Sequence, residues 1–156
     1  MKILVAYDGS NGARAALAAA TEIALASNAH LIVTHALNPK VAAASVWAQT
    51  SAEALEIAIR GARANIREQM LFSPGLDGEV LIEELERGED VADGLVRVAE
   101  SREADFIAIA SSRAGTVQGA LLGSVAAAVM RKSQRPVIVA HPDSNQHPAA
   151  TPWPLD

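Results

Sequence analysis

The chain has 156 residues, 50% of them apolar but only 3% aromatic, and carries a formal net charge of −5. That length suits one domain with one continuous core, and the acidic balance argues against a nucleic-acid partner, since duplex binding needs a basic face to displace counterions. No cysteine is present, which excludes disulfides, thiolate zinc sites and cysteine nucleophiles. With so few aromatics, Ala, Val, Leu and Ile must fill the core, and small side chains suit layers of helix on sheet. The histidines (His30, His35, His141, His147) are scattered without HxxxH spacing, so structural or solvated roles are favoured and no metal is predicted.

The N-terminus enters a strand almost at once, Lys2-Ile3-Leu4-Val5-Ala6, with no charged leader and no later segment able to span a bilayer. A cytoplasmic location without a membrane partner is expected. The strand Ile3–Tyr7 ends at the polar turn Asp8-Gly9-Ser10-Asn11-Gly12, and Ala16, Leu17, Ala20, Ile23 and Ala24 then recur at helical spacing until Ser27-Asn28. A second strand, Leu31–Ala36, stops at Asn38-Pro39, and residues 40–50, with Trp47, read as a loop or loose helix. A long helix is predicted from Ser51 to Met70, with Leu55, Ile59, Ala62, Ile66 and Met70 on one face. After the breaker Ser73-Pro74-Gly75 come a third strand at Glu79–Glu83 and, beyond Gly88-Glu89-Asp90, a helix turning Val91, Leu95, Val98 and Ala99 inward.

The fourth strand, Asp105–Ala110, is continuously apolar from Phe106 onward, as strands covered on both faces are. A polar loop leads to a helix opening at Gly123-Ser124 and running to about Lys132, and Pro136–Ala140 is the fifth strand. The segment 143–156 is rich in proline and lacks periodicity, so the domain is expected to span 1–142, followed by a mobile tail with Trp153. Strands alternating with helices give βαβ units and a doubly wound parallel sheet. Ligands bind such sheets at the carboxyl ends of the strands, where the strand order reverses. With the first and fourth strands as central neighbours, that point is flanked by Asp8–Gly12 and Ala110–Ser124.

Two stretches carry candidate chemistry. The loop Ser111-Ser112-Arg113-Ala114-Gly115-Thr116, with Gly119 and Leu121-Leu122-Gly123-Ser124-Val125, feeds a helix start. There, open N–H groups and the helix dipole favour an anion, and Ser124 either adds a hydroxyl to a phosphate or caps the helix. Asp8-Gly9-Ser10 either places a carboxylate against a ribose or adenine amine, or builds a turn and caps the first helix. No GxxxxGK[ST] loop or GxGxxG after a strand occurs. A receiver-type phosphorylation site is disfavoured, since only Asp8 follows the first strand and no lysine follows the fifth. The acidic run Glu83, Glu84, Glu86, Glu89, Asp90 reads as a solvated strand end and helix start rather than a cation site.

The opening Ile3-Leu4-Val5-Ala6-Tyr7-Asp8-Gly9-Ser10, His35 late in the second strand, Gly88, the block Leu121-Leu122-Gly123-Ser124-Val125 and the following Arg135-Pro136-Val137-Ile138-Val139 resemble the universal stress protein family over residues 1–142. The resemblance implies the adenine-nucleotide α-hydrolase-like (Rossmann-like) fold: five parallel strands ordered 3-2-1-4-5, helices on both faces, and a homodimer. It also implies a stress-response regulatory protein rather than an enzyme, binding ATP or another adenine nucleotide through a Gly-x2-Gly-x9-Gly-Ser/Thr motif. Counting back from Gly123-Ser124 puts Ala110 and Arg113 on the two earlier glycine positions.

By resemblance Asp8 approaches the adenosine, Ala36 lines the adenine pocket, and Ser111, Gly123 and Ser124 hold phosphates. Arg113 has two readings: it fills the phosphate pocket, leaving a nucleotide-independent homodimeric interaction protein, or its guanidinium becomes a bidentate phosphate ligand. A slow ATP hydrolase is disfavoured, because no positioned base, P-loop lysine or metal shell is recognisable. The fifth strand, apolar on both faces and an edge in that order, is expected to pair with a second copy through residues 136–141.

Overall fold

A computed structural model describes residues 1–40, 50–70, 75–111 and 122–141. In chain order the elements are β1 (Lys2–Ala6), α1 (Asn11–Ser27), β2 (His30–Leu37), α2 (Ser51–Met70), β3 (Gly78–Glu84), α3 (Val91–Ser101), β4 (Phe106–Ala110), α4 (Ser124–Lys132) and β5 (Val137–Ala140). The five strands form one sheet in the order β3-β2-β1-β4-β5, and every pair is parallel. The expected doubly wound architecture is therefore the observed one.

Period-two alternation explains the layers. Ile3 and Val5 of β1 and Ala108 of β4 face Ala13, Leu17, Ala20 and Ala24 of α1 and Ile66 of α2. Leu4, Ile107 and Ile109 point the other way, onto Leu95, Val98 and Ala99 of α3 and Ala126 and Val129 of α4. A strand buried on both faces has no polar side, which is why β1 and β4 read as unbroken apolar runs. The alanines along α1 let its backbone lie close to the sheet, so a core with few aromatics still closes.

Local chemistry sets the boundaries. Ser10 caps α1, accepting a hydrogen bond from the Ala13 N–H at 3.1 Å, and Asn28 ends the helix in the left-handed region at φ 51°. Asp90 caps α3 through the Asp93 N–H at 2.8 Å. The helix predicted over Ser51–Met70 has those bounds. Within its expected stripe, however, Leu55, Ile59, Ala62 and Met70 are only half-buried, while Ile66 is fully buried. The reason is position: α2 packs over β3 and β2 at one side of the sheet, where fewer strands cover it.

At the opposite side β5 is the edge, and all four of its residues are half-buried. Pro136 lies just before this strand rather than in it. Among the described residues, no helix is long and apolar enough to cross a membrane. Trp47, Arg113, Trp153 and the segment 143–156 lie outside the described residues.

Candidate functional site: the cleft between β1 and β4

Beyond β1 the chain turns into α1 on one face, and beyond β4 it leads to α4 on the other. The gap left at their carboxyl ends is a cleft of about 520 Å³. Asp8, Ala36, Ala110, Ser111, Gly123 and Ser124 all line it, as do the apolar Val91, Leu95 and Ile109. Five separate parts of the chain thus meet where the strand order reverses. Arg113, the remaining candidate, lies outside the described residues.

On the α1 side the polar groups are engaged with one another. Gly9 takes φ +83°, a left-handed turn that suits glycine. The turn lets the Ser10 N–H donate to Asp8 Oδ1 at 2.9 Å while the Ser10 hydroxyl caps α1. The turn-and-cap reading of Asp8-Gly9-Ser10 is what the structure shows, yet the exposed Asp8 still borders the cleft, its second oxygen without a hydrogen bond among the described residues. Gly12 follows at a close approach: a Cβ there would lie 3.0 Å from Ala110 Cβ and 3.6 Å from the Ser111 carbonyl. The Ala110 methyl therefore faces the side that Gly12 leaves bare.

The α4 side is built differently. The N-cap is Gly123, at φ −61° and ψ 156°, with no side-chain cap hydrogen bond, and Ser124 is the first helical residue. Ser124 therefore does not cap the helix, and neither α1 nor α4 has an acidic residue in its first turn. Arg131 and Lys132 occupy the last turn of α4, where cations suit the negative end of the dipole. Ser111 is 5% exposed, its N–H donating to the Ala140 carbonyl at 2.8 Å, so the end of β4 is pinned to β5.

His35 is a lining residue that the sequence did not single out as part of the site. Its Nδ1 lies 2.8 Å from the Tyr7 carbonyl, which only accepts, so the ring donates its Nδ1–H there. The signal was its place at the end of β2, in register just beyond the Ala6–Thr34 pair. Val91 and Leu95 were expected only as helix core; they also wall the cleft.

In the acidic run beside Val91, Glu83, Glu89 and Asp90 are paired, while Glu84 and Glu86 are exposed as expected. Arg97 donates from Nε and Nη2 to the two carboxylate oxygens of Glu89 at 2.8 and 2.9 Å, and from Nη1 to Glu83 at 2.6 Å. The Arg97 hydrogen bonds, with one from the Glu86 N–H, hold the Glu89 carboxyl down from an ordinary 4.5 to about 2. Lys132 reaches Asp93 at 2.6 Å and Asp90 at 2.9 Å, tying the end of α4 to the start of α3. The Asp93 N–H and Lys132 lower the Asp90 carboxyl, and hydrogen bonds to Asp93 and Asp90 raise the Lys132 ammonium. Among the described residues no group of three or more His, Cys, Asp or Glu is placed to hold a metal ion.

A doubly wound parallel sheet with an open cleft at its reversal point and an uncapped helix start beside it defines a Rossmann-like α/β protein. The model of the universal stress protein family matches residues 1–141, and the chain belongs to that family. A universal stress protein from Archaeoglobus fulgidus is 29% identical with a TM-score of 0.63, over 90% of this chain and 98% of that one. A universal stress protein in complex with cAMP is 27% identical with a TM-score of 0.67, over 91% and 97% of the two chains. The Archaeoglobus fulgidus protein in complex with dAMP is 29% identical with a TM-score of 0.58, over 90% and 97%. No curated protein matches the chain.

Proposed function

We propose that this chain is a non-enzymatic, cytoplasmic stress-response regulator that binds an adenine nucleotide in the cleft between β1 and β4. The observation that carries the reading is the start of α4, where Gly123 offers no side-chain cap and Ser124 keeps its hydroxyl out of capping, at a cleft lined also by Asp8. A phosphate accepts hydrogen bonds from the open N–H groups at that helix start and from the hydroxyls of Ser111 and Ser124. The base lies against Ala36, Val91, Leu95 and Ile109, and Asp8 accepts from the adenosine. Relatives of similar fold bind cAMP and dAMP, which supports the ligand class.

Ala110, in place of a motif glycine, fits the same reading because its methyl faces the bare side of Gly12. The regulatory role is supported by the sequence, in which no GxxxxGK[ST] phosphate loop with its lysine occurs. Denaturing freshly purified protein and analysing the supernatant by mass spectrometry should release ATP, ADP, AMP or a cyclic monophosphate. An empty supernatant, together with no calorimetric binding of any of these, would sink the reading.

In the same reading the chain works as a homodimer through residues 136–141. Val137–Ala140 is an edge strand without a charge, and its side chains are half-buried on both faces of the sheet, Ile138 on one and Val137 and Val139 on the other. Such an edge templates pairing, and a two-fold axis closes the contact. Ile138→Lys should shift light scattering from dimer to monomer or make the protein insoluble. A well-folded wild-type monomer at micromolar concentration would remove the dimer.

A further inference from the structure

We propose that the outer flank of α2 is a docking surface for an acidic helical segment of a partner protein. Arg60, Arg63 and Arg67 are exposed and line a surface groove of about 420 Å³ together with Glu56, Ile59 and Ala64. Steps of three and four residues place the arginines in one stripe, about 10 Å long at the helical rise per residue. Like charges at these spacings repel one another and weaken an isolated helix, so the stripe concentrates positive charge at a cost to α2. None of the three forms an ion pair with a described residue, whereas Lys2, Arg97, Arg102 and Lys132 each do.

Helical geometry fixes where the stripe faces. Asn65 looks toward the sheet centre, its Oδ1 accepting from the Tyr7 hydroxyl at 3.5 Å. Arg60, Arg63 and Arg67 lie on the other flank of α2, toward the β3 edge. This surface is separate from the cleft, so the inference does not depend on nucleotide binding.

The surroundings select the partner. Asp77, Glu84 and Glu86 are exposed on and around β3, and the whole chain is acidic. A long polyanion such as duplex nucleic acid, or the plane of an anionic membrane, would meet those carboxylates as well as the arginines. A short acidic segment need not. Carboxylates at positions i, i+3 and i+7 of a helix match the spacing of Arg60, Arg63 and Arg67, and a guanidinium grips a carboxylate with two parallel hydrogen bonds. Ile59 and Ala64 flank the stripe on its two sides, each offering apolar surface to an aliphatic side chain, and Glu56 marks the end of the stripe by repelling a further carboxylate.

The probe is a fluorescein-labelled helical peptide with glutamate at i, i+3 and i+7, titrated with the full chain and read by anisotropy. Saturable binding is expected, weakened at least about tenfold between about 0.05 M and 0.5 M salt. Arg60→Glu/Arg63→Glu/Arg67→Glu should abolish it. Arg14→Glu/Arg87→Glu/Arg131→Glu, which changes net charge equally at exposed positions elsewhere, should retain at least about a third of the affinity. Circular dichroism confirms that both variants fold. No binding by the wild type, equal loss in both variants, or tighter binding to duplex DNA or phosphatidylserine vesicles than to the peptide would each overturn the proposal.

Discussion

Two helices begin at the same cleft, α1 after β1 and α4 after the β4 loop, and their starts are built in opposite ways. At α1 a serine hydroxyl caps the helix and an aspartate oxygen accepts from that serine's N–H, so the polar groups satisfy one another. At α4 a glycine occupies the cap without a side-chain hydrogen bond, and the serine stands one position inside the helix. The dipole is similar at both ends; what differs is whether the protein has filled its own acceptor position. A self-capped start stabilises the fold, whereas an uncapped one leaves donors for an anion.

The largest effect expected from this contrast is at Gly123. Gly123→Asp places a carboxylate where phosphate should sit, and like charges so close cost several kcal/mol, so adenine-nucleotide affinity should fall about 100-fold or more by calorimetry. Aspartate is also a better N-cap than glycine by a few tenths of a kcal/mol, so the melting temperature should hold or rise. Lost binding without lost stability marks α4 as the ligand end. A variant that unfolds, or one that still binds nucleotide at wild-type affinity, would break the contrast.

The next effect concerns how firmly the neighbouring helix wall is held. Glu89 is 11% exposed and grips Arg97, which is 36% exposed. With that exposure discounted, Glu89→Gln should cost about 1–2 kcal/mol at neutral pH in denaturant melts. Because the folded-state pKa of Glu89 is lowered from 4.5 to about 2, its contribution is complete above the unfolded value and is lost as pH falls through that window. The wild type should therefore lose more stability than Glu89→Gln on acidification between those values. Parallel curves would show that the pair contributes nothing.

Ser10→Ala should cost about 1 kcal/mol of stability through the lost cap while changing nucleotide affinity less than about threefold, the reverse of the Gly123 pattern. The smallest effect is a coupling. Gly12→Ala should be about 0.5–1 kcal/mol more favourable in an Ala110→Gly background than in the wild type, since a Cβ at Gly12 would meet Ala110 Cβ at 3.0 Å. Additive changes would show that the close approach relaxes at no cost.

Much of the frame was legible from periodicity. Unbroken apolar runs gave the central strands, and the spacing of Leu55, Ile59, Ala62, Ile66 and Met70 placed α2 with its observed bounds. The depth of burial was not legible, because a helix over the sheet edge and one over its centre share the same pattern. Gly123-Ser124 showed that a helix starts there, but which residue is the cap depends on backbone angles rather than composition. His35 was noticed only as part of a family resemblance, since its role at the cleft comes from the Tyr7 carbonyl on another strand. The acidic run around Glu89 looked solvated because its partners, Arg97 and Lys132, sit on α3 and α4 and reach it only once the helices pack.

The central claim, that α4 and not α1 presents its donors to the ligand, is tested most directly by following backbone amide resonances while titrating AMP, cAMP and ATP into the labelled protein. Saturable shifts should be largest at Ser124 and Val125, smaller at Ala13, whose N–H is held by Ser10, and negligible at Arg60, Arg63 and Arg67. Saturation that moves Ala13 while leaving Ser124 and Val125 in place would contradict the account.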